Sequence, residues 1–475
     1  MVFASSIFLL LFFPTVLSIY YLINPKYRNL WLFIASFVFY AWGGLQYALL
    51  ILFSTIANFC FGKYIGEENC KHPKTILIVS IVFNLGILGF FKYFNFIVNG
   101  LNYFIGFIDP NFNINVPIIP LPIGISFFTF QIMSYVIDVY RKQVQSQKKF
   151  VNLGLYIMLF PQLIAGPIVR YIDVEKEIDN RSINIDDIRE GLKRFILGLA
   201  KKVFIANFTA KLADYAFTSV YLNTPLAWLG ILSYSLQIYF DFSAYSDMAI
   251  GMGRIFGFHF LENFNYPYIS SSIQEFWRRW HISLSSWFKD YLYIPLGGNR
   301  KGLVRTYINN IIVFFCTGLW HGAALNFIVW GLYHGTFLII ERIGVNKLLK
   351  KIPKFFSHIY TILIFMIGWV FFRANTLMDA VTYIKKMFVL DVTHMEYFFL
   401  SLDNFAIFMV ILGIIFSTPV VGFVKAKISK YCKEGTLRVN NVGIVLVDLL
   451  YLLLFMISII FVVGSKFNPF IYFRF

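Results

Sequence analysis

The chain has 475 residues, of which 59% are hydrophobic and only 14% are charged. Soluble domains contain about 45–50% apolar and about 25% charged residues, so this composition excludes an ordinary soluble protein. The net charge of +17 comes from short basic clusters between apolar runs. Such clusters are typical of cytoplasmic loops, where they also attract anionic lipids and anionic donors, and do not indicate nucleic-acid binding. We therefore predict a polytopic membrane protein.

The first third of the chain alternates between apolar segments and short turns. The apolar segments cover residues 3–23, 30–42, 45–61, 76–108 and 118–139. The positive-inside rule places the basic turns inside and the loop 109–117, which lacks Lys and Arg, outside. One basic residue, Lys92, interrupts the segment 76–108.

The regular alternation breaks after residue 150. Residues 151–169 contain Pro161 and the pair Gly166-Pro167, and we predict a re-entrant segment covered by protein, because a helix broken at membrane depth is tolerated only there. The acidic stretch 173–190 is predicted to be a cytosolic excursion, and 226–253 to span.

The segment 272–296 is predicted to be one helix lying in the cytoplasmic interface. Five residues on its apolar side recur at helical spacing, namely Trp277, Trp280, His281, Leu284 and Phe288. Residues 304–340 form either two spans or a broken pair around Gly322. With 359–372, 405–423 and 442–463, they bring the total to roughly ten to twelve spans. The predicted fold class is an all-α polytopic membrane protein with one domain covering 1–475.

His321 is the first candidate for chemistry. It lies in a long apolar stretch between Trp320 and Gly322, with no Lys, Arg or carboxylate nearby in sequence. An ionisable group at membrane depth is a functional-site hypothesis by default, and a neutral imidazole is the usual general base for activating a hydroxyl. The alternative is a packing histidine satisfied by a neighbouring carbonyl group.

Two further histidines carry alternatives of their own. His281 either anchors the interfacial helix or faces a cytoplasmic portal and contacts the donor. His334 belongs to a near-repeat of the His321 motif, thirteen residues later. One straight helix would place the two histidines about 20 Å and about 140° apart, so they share a site only if the backbone breaks. We predict a structural pair of His334 with Glu341.

Two acidic residues, Asp241 and Asp247, lie in an apolar segment. Buried carboxylates need partners. Tyr245 lies one turn from Asp241, and Arg254 lies two turns from Asp247. Structural pairing is the favoured interpretation, and a role in shaping a catalytic cavity is the alternative.

The motifs of this chain, taken together, are similar to those of the membrane-bound O-acyltransferase (MBOAT) family, and most closely to its bacterial alginate O-acetyltransferase branch. They are Phe12–Pro14, Tyr27–Leu30, Phe39–Trp42, Pro122–Gln131, Phe160–Ile168, Asp241–Asp247, Phe276–Ser285, Gly318–Gly322 and Asn468–Phe475. The resemblance implies a ring of tilted helices around a thin central region with a tunnel reached from both sides. It also implies that His321 is the catalytic histidine and His281 the second family histidine.

The resemblance further implies an acyl thioester donor on the cytosolic side and an extracytoplasmic acceptor. We expect acetyl-CoA as donor, docking near Arg278, Arg279 and Arg300, no bound cofactor and no metal. The expected partners are membrane lipid, an acetyl-transfer partner protein and a polysaccharide, and the expected location is the bacterial inner membrane. The expected substrate contacts are Trp320, Trp280, Arg278, Arg279, Asp241 and Tyr245.

Two other functions remain open at this stage. The first is D-alanyl transfer to teichoic acid from a carrier-protein thioester. The second is a transporter of lipid-linked sugars, a class that often shows paired broken helices in two related halves. Only one broken region precedes Asp173, which disfavours the transporter.

Overall fold

The computed structural model describes residues 1–110, 112–164, 166–433, 441–465 and 467–469. Within these ranges the regular secondary structure is helical and no strand is present, so the predicted all-α fold class is confirmed. The last residues of the closing motif, from 470 onward, lie outside the described ranges.

The α-helices of the first half have these bounds: Phe13–Leu22, Arg28–Ala41, Leu45–Ile65, Pro73–Gly106, Ile125–Tyr140, Phe150–Met158, Phe160–Leu163, Tyr171–Asp179, Ile185–Ala200 and Asn207–Thr218. Those of the second half are Thr224–Ile255, Ile273–Arg279, Ile282–Phe288, Leu303–His321, Leu325–Ile340, Asn346–Leu349, Lys354–Arg373, Leu377–Phe388, Met395–Ser401, Asn404–Phe416, Val420–Lys433 and Asn441–Gly464. Short π-helical turns are formed by Phe8–Phe12, Lys201–Ala206, Lys289–Tyr293 and Glu341–Val345.

Five helices in the described ranges are long and apolar enough to cross a membrane: Leu45–Ile65, Pro73–Gly106, Leu303–His321, Lys354–Arg373 and Val445–Gly464. A sixth results if Met395–Ser401 and Asn404–Phe416, which are bent by 75° at their junction, count as one span. This count is lower than the ten to twelve segments predicted for two reasons. The predicted span 226–253 lies in the helix Thr224–Ile255, which is long enough but is not among the sufficiently apolar helices, and other apolar stretches form helices shorter than the roughly 20 residues that a bilayer core requires. Ile125–Tyr140, with 16 residues, is an example.

The helix Thr224–Ile255, here called the central helix, lies in the middle of the packed molecule. It packs against Ile185–Ala200 through glycines that let the two backbones approach closely. A Cβ on Gly198 would lie 2.6 Å from the Ala244 carbonyl oxygen. Small residues at such crossings are the usual way in which membrane helices gain van der Waals contact.

The predicted break in the segment 151–169 is confirmed. The helix Phe150–Met158 ends at Leu159, whose ψ of 111° is not helical, and Phe160–Leu163 forms a separate short helix. Both are buried, and the Phe160 N–H group donates to Ser36 Oγ at 3.1 Å. The broken backbone is therefore satisfied by other parts of the protein, as the physics of lipid requires.

The prediction of one interfacial helix over 272–296 is wrong. Two short helices, Ile273–Arg279 and Ile282–Phe288, meet at His281, whose φ of 44° and ψ of 54° are left-handed and end the helix. Their apolar side chains are buried against the rest of the protein, with Trp280 3% exposed. The hydrophobic spacing therefore reflects packing inside the protein and not the face of a helix on the membrane surface.

The residues 304–340 form the broken pair that the sequence allowed. We call Leu303–His321 the site helix and Leu325–Ile340 the adjacent helix; they are joined through Gly322, whose backbone is extended. The two helices cross closely, because a Cβ on Gly318 would overlap the Phe327 carbonyl oxygen and one on Gly331 the Phe314 carbonyl oxygen.

Candidate active site

His321 is the last residue of the site helix and is 6% exposed. Its imidazole lies among the rings of Trp320, Trp330 and Phe372, with centroid distances of 4.9, 4.9 and 5.1 Å. The extended backbone of Gly322 stops the helix there, so the imidazole lies at a helix end beside a loop. This position suits a reactive side chain, because aromatic packing fixes its orientation while one side stays open to a cavity.

The first cavity at His321 has a volume of about 210 Å³. It is lined by Lys92, Leu121, Pro122, Ile123, Gly124, Ile125, Ser126, Phe127, Ile164, Trp320 and His321. Most of this wall comes from residues 121–124, which follow the predicted outer loop 109–117, and from the first turn of the helix Ile125–Tyr140. We call it the acceptor-side cavity for its place next to that loop.

Two consecutive residues of the helix Pro73–Gly106 hold the end of the site helix. Lys92 Nζ donates to the Trp320 carbonyl oxygen and, at 3.1 Å, to Ser126 Oγ. The Tyr93 hydroxyl donates to the Leu319 carbonyl oxygen at 2.6 Å. The last carbonyls of a helix have no partner within it, so these bonds satisfy groups that lipid would leave unpaired.

His281 lies close to His321 through a shared neighbour. The His281 ring is 5.9 Å from the Trp320 ring, and Trp320 in turn contacts His321. The Trp320 indole N–H group donates to the Ser126 carbonyl oxygen at 3.3 Å. His281 is 3% exposed, and neither of its ring nitrogens has a hydrogen-bond partner among the described residues. Tertiary structure therefore brings together the two histidines that the sequence separates by forty residues.

A second cavity, of about 290 Å³, approaches the same helix from the basic side of the protein. It is lined by Gln274, Trp277, Arg278, Leu284, Ser285, Phe288, Lys289, Asn310, Val313, Phe314, Thr317, Leu338 and Arg342. Thr317 lies one turn before His321 on the site helix. Three exposed cationic side chains, Arg278, Lys289 and Arg342, thus line this cavity together with the buried Thr317.

A larger basic cavity of about 710 Å³ adjoins the second one, and Arg278 and Gln274 line both. Arg279 lies in its wall but is paired with Glu275 at 2.9 Å. Burial acts to raise the pKa of the Glu275 carboxyl group. The hydrogen bonds from Ser271 and Arg279 outweigh burial, so the pKa of Glu275 lies below its usual value. Arg278 is exposed and makes no ion pair in the described part of the chain, so of these two arginines it is the one available to an anionic ligand. Arg300 is exposed in the basic turn.

The other residues predicted as substrate contacts have partners within the protein, and their role toward a substrate stays a prediction. Asp241 pairs with Lys202 at 2.6 Å, and Tyr245 stacks on Phe3 at 4.2 Å. The Trp280 ring packs against Trp369, 4.8 Å between centroids.

The predicted partner of Asp247 is wrong. Its carboxylate pairs with Arg194 and Lys201, each at 2.6 Å, and not with Arg254. The reason is that the central helix turns this face toward the neighbouring helix, so the partners come from a different part of the chain. Structural pairing itself holds for both Asp241 and Asp247.

The predicted pair of His334 with Glu341 is also absent. Neither ring nitrogen of His334 has a hydrogen-bond partner in the described ranges. The Glu341 carboxylate instead accepts the N–H groups of Ile273 at 2.6 Å and Gln274 at 2.9 Å. Burial raises the pKa of Glu341, with these two donors opposing the shift. The break at Gly322 lets the rings of His321 and His334 both contact Trp330.

Four side chains of the two cavities were missed by sequence reasoning: Lys92, Ser126, Lys289 and Arg342. Lys92 gave a usable signal, since a lone basic residue in an apolar run is a functional-site hypothesis by default. Ser126 gave none, because its role depends on a contact with a helix far along the chain. Lys289 and Arg342 were visible only as members of basic clusters.

The arrangement suits proton transfer to and from a hydroxyl group. A general base must come within hydrogen-bond reach of the proton that it removes, and His321 faces a cavity of the right kind. A second cavity is lined by Thr317, one helical turn before His321 on the same helix. Among the described residues, no three His, Cys, Asp or Glu side chains form a group able to hold a metal ion.

Comparison with known proteins assigns the class. Residues 125–376 match MBOAT, the membrane-bound O-acyltransferase family. The chain belongs to this family and is a multi-pass membrane enzyme that transfers acyl groups to hydroxyls.

Its relatives include three named enzymes. The probable alginate O-acetylase AlgI of Azotobacter vinelandii is 40% identical over 100% of both chains. The peptidoglycan O-acetyltransferase of Helicobacter pylori is 37% identical over 82% of this chain and 80% of its own. The teichoic acid D-alanyltransferase of Bacillus subtilis is 30% identical over 49% of this chain and 62% of its own.

Proposed function

We propose that this membrane O-acetyltransferase moves an acetyl group from acetyl-CoA, bound at its basic side, to a hydroxyl acceptor that enters the acceptor-side cavity. The observation that carries the proposal is the position of His321, which lines one cavity and lies one helical turn from the end of another. The O-acetyltransferase names of the relatives that cover most of the chain support acetyl over other acyl groups.

The basic cavity has the chemistry of a coenzyme A site. Coenzyme A carries several phosphate charges at one end and a narrow thioester arm at the other. Arg278, Lys289 and Arg342 are exposed, so they can attract phosphates, and the rest of the lining is largely apolar and includes Thr317. The thioester would therefore arrive beside His321 while the nucleotide stays at the basic side.

His321 then acts as general base. The imidazole takes the proton of the acceptor hydroxyl, the oxygen bonds to the thioester carbonyl carbon, and the coenzyme A thiolate leaves with the proton. General-base assistance contributes about 10²–10⁴-fold in rate. Trp320 and Phe372 fix the ring, and alignment of donor and acceptor supplies much of the remaining acceleration.

His281 is proposed to contact the donor near the reacting carbonyl. Its two ring nitrogens are buried and lack partners, which is costly unless a ligand fills the space. Its contact with Trp320 places it close to the same reaction centre as His321.

The acceptor is proposed to be a cell-surface polysaccharide, reached directly or through an extracytoplasmic partner protein. The alginate and peptidoglycan enzymes among the relatives act on different polymers, so the membrane domain itself suits more than one acceptor. The inner membrane is the proposed location, because acetyl-CoA is a cytosolic metabolite.

The test of the proposal uses His321→Ala in cells that acetylate their surface polymer. We expect acetylation to fall by about 10²-fold or more, because the general base is lost. His334→Leu is the matched control: it removes a buried imidazole from a near-identical motif on the adjacent helix and is expected to keep activity. Both variants are quantified by immunoblotting. Wild-type acetylation in His321→Ala at equal abundance would overturn the assignment.

The donor is decided separately with labelled thioesters. Membranes given acetyl-CoA labelled in the acetyl group should pass label to the acceptor, whereas a carrier protein charged with labelled D-alanine should not. Transfer of D-alanine would instead favour D-alanyl transfer, the activity for which the teichoic acid relatives are named. Movement of a lipid-linked sugar without any acyl transfer would favour a transporter.

A further inference from the structure

Lys92 is a basic residue inside the spanning helix Pro73–Gly106, and it lines the same cavity as His321. Its ammonium donates to Ser126 Oγ and to the Trp320 carbonyl oxygen, which are both uncharged acceptors. Those bonds fix the ammonium at the wall of the acceptor-side cavity but leave its charge without compensation.

Lys92 is half-buried, whereas the two buried Lys and Arg side chains of the described ranges are both paired with carboxylates. Lys202 pairs with Asp241 at 2.6 Å, and Arg373 pairs with Asp214 at 2.5 Å. Within the same ranges no carboxylate oxygen lies within 4.0 Å of the Lys92 ammonium. A cation at membrane depth is costly and normally faces a partner or a functional cavity. The missing negative charge therefore points to something that enters the cavity or forms in it.

We infer that Lys92 is a further catalytic group, which stabilises the negative charge that forms at His321 during acetyl transfer. The inference rests on the proposed function. As His321 takes the hydroxyl proton, the acceptor oxygen bonds to the carbonyl carbon and the carbonyl electron pair moves onto its oxygen. That oxyanion then re-forms the carbonyl, the carbon–sulfur bond breaks, and the coenzyme A thiolate takes the proton from His321. Lys92 supplies charge throughout and neither gains nor loses an atom.

The surroundings of Lys92 are organised before the reaction starts. The ammonium lies 5.9 Å from the centroid of the Trp320 ring, and the next residue, Tyr93, is bound to the same helix end. The first turn of the helix Ile125–Tyr140 also lines the cavity and adds the partial positive charge of a helix amino end. Fixed charges aimed at a developing anion need no rearrangement during the reaction, which is why they are effective catalysts.

The test compares three variants of the full-length enzyme in membrane vesicles that contain the natural acceptor, with release of coenzyme A as the readout. Lys92→Met removes the charge at similar size, and we expect kcat to fall by about 10²-fold with the KM for acetyl-CoA unchanged. Lys92→Arg keeps the charge and should retain most of kcat. Tyr93→Phe removes the neighbouring bond to the helix end without changing charge, and should lower kcat by less than Lys92→Met does.

Several outcomes would overturn the inference. Lys92→Met would overturn it by keeping the wild-type kcat, or by changing only the KM for the acceptor. Lys92→Arg would overturn it by being as inactive as Lys92→Met. Tyr93→Phe would overturn it by losing as much kcat as Lys92→Met, because that result would assign Lys92 a purely structural role. The melting temperature of each purified variant shows that it is folded. His321→Ala is measured in parallel, because its activity tests the proposed function. If Lys92→Met is active and His321→Ala is inactive, the role of Lys92 is disproved and the proposed function still stands.

Discussion

Arg278 and Arg342 belong to different elements, a short buried helix and a π-helical turn, yet they line one cavity. A π-helical turn is rare and often occurs at a functional site, because the extra residue in the turn changes the direction of the following side chains. Two of the four π-helical turns described, Lys289–Tyr293 and Glu341–Val345, contribute a cation to this cavity. At the scale of the residue, these two π-helical turns therefore place Lys289 and Arg342 in the cavity where the donor is proposed to bind.

Arg342→Ala is expected to weaken acetyl-CoA binding without impairing the chemical step. A hydrogen bond to a charged group contributes about 1.5–3 kcal/mol, so the KM for acetyl-CoA should rise by about tenfold or more while kcat stays near wild type. Initial rates at varied acetyl-CoA concentration provide the measurement. Lys63→Ala, which removes an exposed lysine outside the cavities described, is the control for the loss of one positive charge. An unchanged KM in Arg342→Ala would exclude this cavity as the donor site.

The site helix and the adjacent helix form the element that presents His321. Their crossing is close because glycines stand where a side chain would overlap the facing backbone, at Gly318 and Gly331. Lys92 and Tyr93 then hold the free end of the site helix from a third helix. The position of the imidazole thus depends on packing at the crossing as well as on the residues that contact it.

Gly331→Ala should disturb this crossing and Gly335→Ala much less. The new Cβ at Gly331 meets the Phe314 backbone carbonyl, whereas at Gly335 it lies 3.1 Å from a side-chain carbon of the same residue. Overpacking of this kind costs about 1–3 kcal/mol, so Gly331→Ala should melt at a lower temperature and lose activity. Gly344→Ala, where a Cβ meets open space, is the neutral control. Equal melting temperatures for all three in detergent would contradict this explanation.

At the scale of the whole molecule, the positive-inside rule predicts the orientation in the membrane. It predicts that the basic turns face the cytosol and that the loop 109–117 faces out. Under the proposed function, this orientation would bring the donor to His321 from the cytosolic side and the acceptor from the opposite side.

The orientation is tested with single cysteines in a variant whose four natural cysteines are replaced. Asn113→Cys should react with a membrane-impermeant maleimide added to intact spheroplasts, and Lys351→Cys should react only after the membrane is permeabilised. Both positions are exposed, so differences in labelling report sidedness and not burial. The reverse pattern would invert the proposed path of the acetyl group.

The sequence by itself determined the class of fold, because its long continuous apolar runs are typical of membrane helices, in which every backbone polar group is paired within the helix. It also marked His321 and His281, because they are ionisable residues in segments predicted to lie in or at the membrane. It marked the segment near Pro161, because proline interrupts a helix there. Only the tertiary structure decided the partners: Lys202 for Asp241, Arg194 for Asp247, and the N–H groups of Ile273 and Gln274 for Glu341. Those contacts join residues far apart in the chain, and helical spacing predicts which face a residue occupies but not which helix packs against that face. The meeting of Lys92, His281 and His321 around Trp320 has the same cause, since it depends on how three parts of the chain that are far apart in sequence pack together.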